Sequence, residues 1–261
     1  MTGTREHPHD IVAASPLPDI GRVGLGDLVA ALQAGWSDFR TAPAIGILFT
    51  SIYVIVGLLM VRFSAGTLAW TLVLSLGFPL VAPFAAVGFY EVSRRLETGE
   101  SLSWGAILGA VVREKDRQLP WMGAIIVIYF LFWTFLAHMI FALFMGPAAM
   151  MNISSSLDML WTPRGMTMIA VELCVGAILA FLLFSLTVMS LPLLLDREVD
   201  FVTAMLVSLQ TVRQNLFVML VWGVIIGALT LVAMVPFFLG LFLVLPVLGH
   251  ATWHLYRRTL R

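Results

Sequence analysis

Residues 216–235 read LFVMLVWGVIIGALTLVAMV, 20 positions without one ionisable side chain. A helix rises about 1.5 Å per residue and the hydrocarbon core is about 30 Å thick, so a stretch of this length and composition matches a bilayer crossing. Working outward, five more stretches have the same character: Ala44–Val61, Ser64–Tyr90, Pro120–Gly146, Gly165–Leu195 and Phe237–Tyr256. The whole chain agrees with them. Of its 261 residues 60% are hydrophobic and 11% charged, with mean hydropathy +0.98. Soluble domains carry about 25% charged residues, so this chain lacks the polar surface to cover a core in water.

The expected fold class is an all-α membrane protein with six transmembrane helices. Pro79, Pro83, Pro192 and Pro246 fall within spans, where each removes a backbone donor and predicts a kink. Basic residues set the expected orientation. With the N-terminus inside, 13 of the 15 Lys and Arg residues lie on inner segments, and only Arg62 and Arg164 lie outside. The chain is therefore expected in a bacterial inner membrane, multi-pass, with both termini cytoplasmic. The fifth and sixth spans meet almost at Pro236 and the first two near Arg62 and Phe63, while Pro147–Arg164 makes the one sizeable outer loop. The tail 1–24 is expected to be flexible. Polar and proline-containing sequence separates its arginines from the first apolar run, so that run is expected to stay as an anchor rather than be cleaved.

The remaining sequence, 25–261, reads as one transmembrane domain with an internal repeat of units 25–100, 101–200 and 201–258. Each unit opens with a short amphipathic segment: LGDLVAALQAGWSDFRTAPAIG from Leu25, SLSWGAILGAVVREKDRQLPWMG from Ser101 and FVTAMLVSLQTVRQNLFVML from Phe201. Each places an arginine (Arg40, Arg117 or Arg213) just before the next span. Such segments are too short and too charged to cross and are expected to lie along the inner interface, introducing three hairpins. The ends match too. PFAAVGFYEVSRR from Pro83 and PVLGHATWHLYRR from Pro246 put Tyr90 and Trp253 in the same slot and end in paired arginines.

Candidate functional residues are few. His250 and His254 share a helix face at i, i+4, a spacing that suits two metal ligands; Glu91 or Asp196 would have to complete a site. The alternative reading gives both imidazoles ordinary hydrogen bonds beside Trp253. His138 and Glu172 fall at matching depths, on the order of 10–12 Å below the outer surface, on sequential and hence neighbouring spans. Ionisable groups at such depth are costly, so the pair is either a polar site or a buried contact that fixes helix register. Glu91, Arg94, Arg95, Glu97 and Glu100, with Asp196, Arg197, Glu198 and Asp200, form an expected cytoplasmic belt. It would link hairpin ends by ion pairs or meet a partner or anionic headgroups. The lone Cys174 within an apolar run excludes a disulfide framework, and zero net charge argues against nucleic acid. No catalytic residue and no cofactor is expected.

Three segments carry a family resemblance: YEVSRRLETGE after the second span, LPLLLDREVDFVTAMLVSL after the fourth, and LPVLGHATWHLYRR at the C-terminal end. Together they resemble a bacterial integral membrane family, domain of unknown function 2189, over about residues 20–258. The resemblance implies a membrane protein without an established activity. Some members carry the label cytochrome c oxidase subunit I. That enzyme needs more spans and more histidine ligands than this chain offers, since His7 and His9 of its five histidines lie in the polar tail. The expected function is thus a non-enzymatic accessory or scaffold protein whose partners are the bilayer and another membrane protein, such as a respiratory complex. The alternative is a small transporter or channel with its site at His138 and Glu172.

Overall fold

The computed structural model describes residues 16–62, 68–146 and 157–261. Among the described residues every named element is helical: α1 (Leu25–Thr41), α2 (Pro43–Arg62), α3 (Leu68–Thr98), α4 (Trp104–Arg113), α5 (Leu119–Met145), α6 (Pro163–Thr187), α7 (Ser190–Asp196), α8 (Phe201–Gln214), α9 (Leu216–Met234) and α10 (Leu241–Thr259). Short 3₁₀ turns at Glu114–Asp116 and Leu157–Trp161 precede α5 and α6.

Helix starts follow local chemistry. Asp27 accepts from the Gly24 N–H (2.9 Å), Ser103 from Ala106 (3.3 Å), Thr162 from Gly165 (3.1 Å) and Asp200 from Thr203 (2.9 Å), each satisfying a donor that the first helical turn leaves free. α3 and α5 stop at Gly99 and Gly146, with φ of 71° and 86°, a region that costs glycine least.

Among the described residues, three helical segments are long and apolar enough to cross a membrane: Leu119–Met145, Pro163–Asp196 and Leu216–Met234. A fourth is counted if Leu25–Thr41 and Pro43–Leu59, bent by 99° at their junction, act as one. This is fewer than the six expected. The polar load explains part of the gap, because α10 carries His250, His254, Arg257 and Arg258 in its second half. The expected start of the last span is also corrected. Residues 236–240 form a turn with Phe237 and Phe238 at φ of 52° and 65°, and α10 begins at Leu241. The fourth segment breaks at Val188 and Met189, because the Pro192 ring opposes the carbonyl four residues back and offers it no N–H.

Most of the buried core lies at one end of the molecule, here called the base. There Tyr90 of α3, Met122 of α5, Met189 and Leu193 around α7, Met219 and Trp222 of α9, and Trp253 and Tyr256 of α10 pack together. α1 lies along α10, its buried side formed by Leu28, Ala31, Gly35 and Asp38. A Cβ at Gly35 would stand 2.6 Å from the Ala251 backbone nitrogen, so only glycine permits this approach. α2 leaves the base beside Val92 and Ile107, and its second half joins another cluster where Val54 meets Ala233 and Leu241. There Phe238 fills the space over Gly57, whose Cβ would come within 2.5 Å of the ring. At Gly227, by contrast, an added Cβ would meet nothing within 4 Å.

Part of the N-terminal tail is held at the base. Asp19 and Gly21 exchange backbone hydrogen bonds with Thr259 and Arg261 across an Ile20–Leu260 bridge. The buried Asn215 side chain accepts from Val23 N–H (3.0 Å) and donates to Gly21 C=O (3.1 Å), and Arg197 donates to Pro16 C=O (2.8 Å). Residues 1–15 lie outside the described residues, as do Asn152 and Ser154–Ser156 of the expected outer loop.

Candidate functional site

Residues of the expected charged belt form ion pairs at the base, with a division of labour that the sequence did not display. Glu91 is 1% exposed and is held by its own helix: Arg94 reaches both carboxylate oxygens (2.8 and 3.0 Å) and Arg95 one (2.6 Å). Glu100 closes the group by pairing with both arginines at 3.2 Å. Most links between helix ends come instead from α10. Arg257 pairs with Glu97 of α3 (3.2 Å) and Asp196 of α7 (3.5 Å), and Arg258 with Asp27 of α1 (3.3 Å). Tyr256 donates to Asp196 (2.7 Å), and the Trp253 indole to Glu97 (3.2 Å). Arg197 spends its guanidinium on a backbone carbonyl rather than on an acid.

Farther round the base, Arg117 pairs with Glu114 (2.7 Å) and with Glu198. Burial pushes the Glu114 carboxyl above its ordinary pKa even though Arg117 pulls the other way. Asp200 at the α8 N-cap is held below the usual range by hydrogen bonds from Thr203.

The two histidines expected as metal ligands are brought together with residues that sequence reasoning missed. His254 Nε2 lies 2.7 Å from Asp38 Oδ2, Ser93 Oγ donates to the same oxygen at 2.7 Å, and Ser93 Oγ lies 2.9 Å from His250 Nδ1. Ser93 has one proton and gives it to Asp38, so the proton in its contact with His250 belongs to the ring. His250 Nδ1 therefore carries hydrogen and Nε2 is a bare acceptor, buried with no hydrogen-bond partner among the described residues. Phe89 meets the His250 ring edge-on at 5.8 Å, and Tyr90 stacks on Trp253 at 6.3 Å.

This cluster joins α1, α3 and α10 through one carboxylate. Its order, with serine between acid and histidine, is wrong for nucleophilic catalysis, where histidine must sit between the other two to take the serine proton. Ser93 is also fully buried, so no substrate reaches it. Among the described residues no three His, Cys, Asp or Glu side chains converge on a point that would hold a metal ion. The metal reading of His250 and His254, with Glu91 or Asp196 completing it, is not what the geometry assembles: Glu91 faces its own arginines and Asp196 faces Tyr256 and Arg257.

His138 and Glu172 lie on the neighbouring helices α5 and α6, as their spacing predicts. Glu172 lines a narrow crevice with Trp133, Ala137 and Gly176, within electrostatic range of His138. The imidazole spends Nδ1 on the Thr134 carbonyl of its own helix, at 2.7 Å.

Comparison with known families finds a similarity for the central part of the chain. A model of predicted integral membrane proteins, DUF2189, matches residues 71–196. This segment is similar to that family. The match is narrower than the expected 20–258 and runs from early α3 to the end of α7. Neither the curated proteins nor the solved structures yield a match. The matched segment supplies Glu91, Ser93, Arg94, Arg95, His138, Glu172 and Asp196; Asp38, His250 and His254 come from the flanking helices that close on it.

Proposed function

We propose that the chain is a six-pass bacterial inner-membrane protein, built as three hairpins with both termini cytoplasmic. In this reading it serves without catalysis as an accessory or scaffold protein of a larger membrane complex. The observation that carries this is how little of the apolar surface the chain covers by itself. In the crossing windows of α5, α6 and α9 only 11%, 6% and 17% of residues are buried. Phe132, Phe135, Leu143, Leu173, Leu231 and Val235 all stand exposed, an area suited to lipid and to the helices of another protein.

The paired termini support an even number of crossings, because Ile20 and Leu260 must lie on the same side of any bilayer. α2 passes from the base to the far cluster, and the α9–α10 turn sits in that same cluster. Up-and-down traversal by α2, α3, α5, α6, α9 and α10 accounts for both facts. Tyr90 stacked on Trp253 pairs the two matching slots of the proposed repeat.

Affinity purification in mild detergent followed by mass spectrometry tests the scaffold role. A stoichiometric membrane partner, such as a respiratory subunit, is expected, and recovery of the chain alone would sink it. Labelling of single cysteines in a Cys174→Ser background tests the topology: position 158 is expected outside and position 97 inside. The His138–Glu172 crevice supports the second reading, a small transporter or channel. His138→Leu with Glu172→Leu is expected to leave partner recovery intact; a lost solute flux with intact partner recovery would favour transport instead.

A further inference from the structure

The base pairs some of its basic residues and leaves others open, and three of the open ones end short helices. Arg94, Arg95, Arg117, Arg257 and Arg258 all hold carboxylates. Arg40, Arg113 and Arg213, which end α1, α4 and α8, are exposed and form no ion pair among the described residues. Each of these short helices buries one side in the protein and shows apolar residues on another: Leu25, Val29 and Trp36 on α1, Trp104, Leu108 and Val112 on α4, and Val202 and Leu206 on α8.

At 100° per residue, Leu25, Val29, Trp36 and Arg40 fall within about 60° of one another, and Val202, Leu206 and Arg213 within about 40°. On α1 and α8 the cation therefore sits at the end of an exposed apolar stripe rather than opposite it, whereas Arg113 of α4 lies about 100° or more from its stripe. α1 meets α2 at 99°. If α2 crosses the bilayer, α1 lies in the membrane plane at the depth where apolar side chains meet acyl chains and arginine reaches phosphate.

We infer that α1 and α8, assisted by α4, form a docking surface for anionic phospholipid headgroups of the leaflet next to the termini, with Arg40 and Arg213 as the headgroup-binding residues. The inference rests on the interfacial placement proposed above and adds the lipid's charge to it. A soluble acidic partner fits less well, because the stripes beside the cations are apolar and would be exposed to water around it. Juxtamembrane arginines gain about 1 kcal/mol each from an anionic surface, roughly a fivefold local enrichment per site.

The test uses the full chain in a Cys174→Ser background, with a fluorophore on Val29→Cys or Leu206→Cys. The protein is reconstituted in vesicles of phosphatidylcholine containing either brominated phosphatidylcholine or brominated phosphatidylglycerol at equal mole fraction. Both probes are expected to be quenched by both lipids, and several-fold more efficiently by phosphatidylglycerol. That excess is expected to vanish at high salt or with Arg40→Gln and Arg213→Gln, while quenching by brominated phosphatidylcholine persists in the same samples and reports intact folding. Equal quenching by the two lipids in the parent would overturn the headgroup preference and leave the interfacial helices standing. No quenching by either would overturn both.

Discussion

Gly35 and Gly227 are both helical glycines in a chain rich in apolar residues, and they do opposite things. At Gly35 a methyl group would run into the Ala251 backbone; at Gly227 it would find open space. The contrast extends to the regions around them. The base is a dense core threaded with hydrogen bonds, because the polar groups withdrawn from water there need partners. The crossing windows of α5, α6 and α9 are sparsely packed, because lipid solvates their side chains about as well as a neighbouring helix does. Fold stability should therefore concentrate at the base, and the membrane-facing helices should tolerate change.

Matched substitutions test this, from large effects to small. Gly35→Ala is expected to destabilise by about 3 kcal/mol, since α1 must lift off α10. Gly227→Ala is expected to gain about 0.5–1 kcal/mol from helix propensity. Unfolding in mixed micelles with rising denaturing detergent reads both, and equal tolerance at the two sites would erase the distinction. Asp38→Ala is expected to cost about 2–3 kcal/mol, because Ser93 and His254 each lose their acceptor in a buried setting. The same truncation at exposed Leu173 on α6 is expected to cost less than about 1 kcal/mol. A cost at Leu173 matching that at Asp38 would mean that α6 packs against something in the membrane.

The smallest effect separates local from tertiary stabilisation within the base. Asp200→Ala removes the α8 cap, at a cost of about 1 kcal/mol near neutral pH. The folded carboxyl titrates below its unfolded value, so its contribution is present above the unfolded pKa and is lost as pH falls through the folded one. The difference between Asp200→Ala and the parent is expected to shrink on acidification below about pH 4. Glu114 carries the reverse sign. Burial raises its folded pKa, so its contribution is present below the unfolded pKa and is lost as pH rises through the folded one.

Much of the architecture was legible in the sequence. The apolar runs gave α2, α5 and α9 nearly to the residue, Pro192 marked the break before α7, and the segments from Leu25, Ser101 and Phe201 contain the helices α1, α4 and α8. The spacing of His138 and Glu172 placed them on neighbouring helices. The junction before α10 was read less well, because a run of phenylalanines looks like helix whether or not its backbone turns.

The sequence by itself determined that this is a helical membrane protein, because periodicity, length and charge are local properties and the bilayer reads them locally. Only the tertiary structure decided where the polar groups go. Asp38 meets Ser93 across 55 positions, His250 meets Ser93 across 157, and His254 meets Asp38 across 216. No local pattern encodes such contacts: they exist because α1, approaching α10 at a glycine, brings a carboxylate to two imidazoles that would otherwise have looked like a metal site.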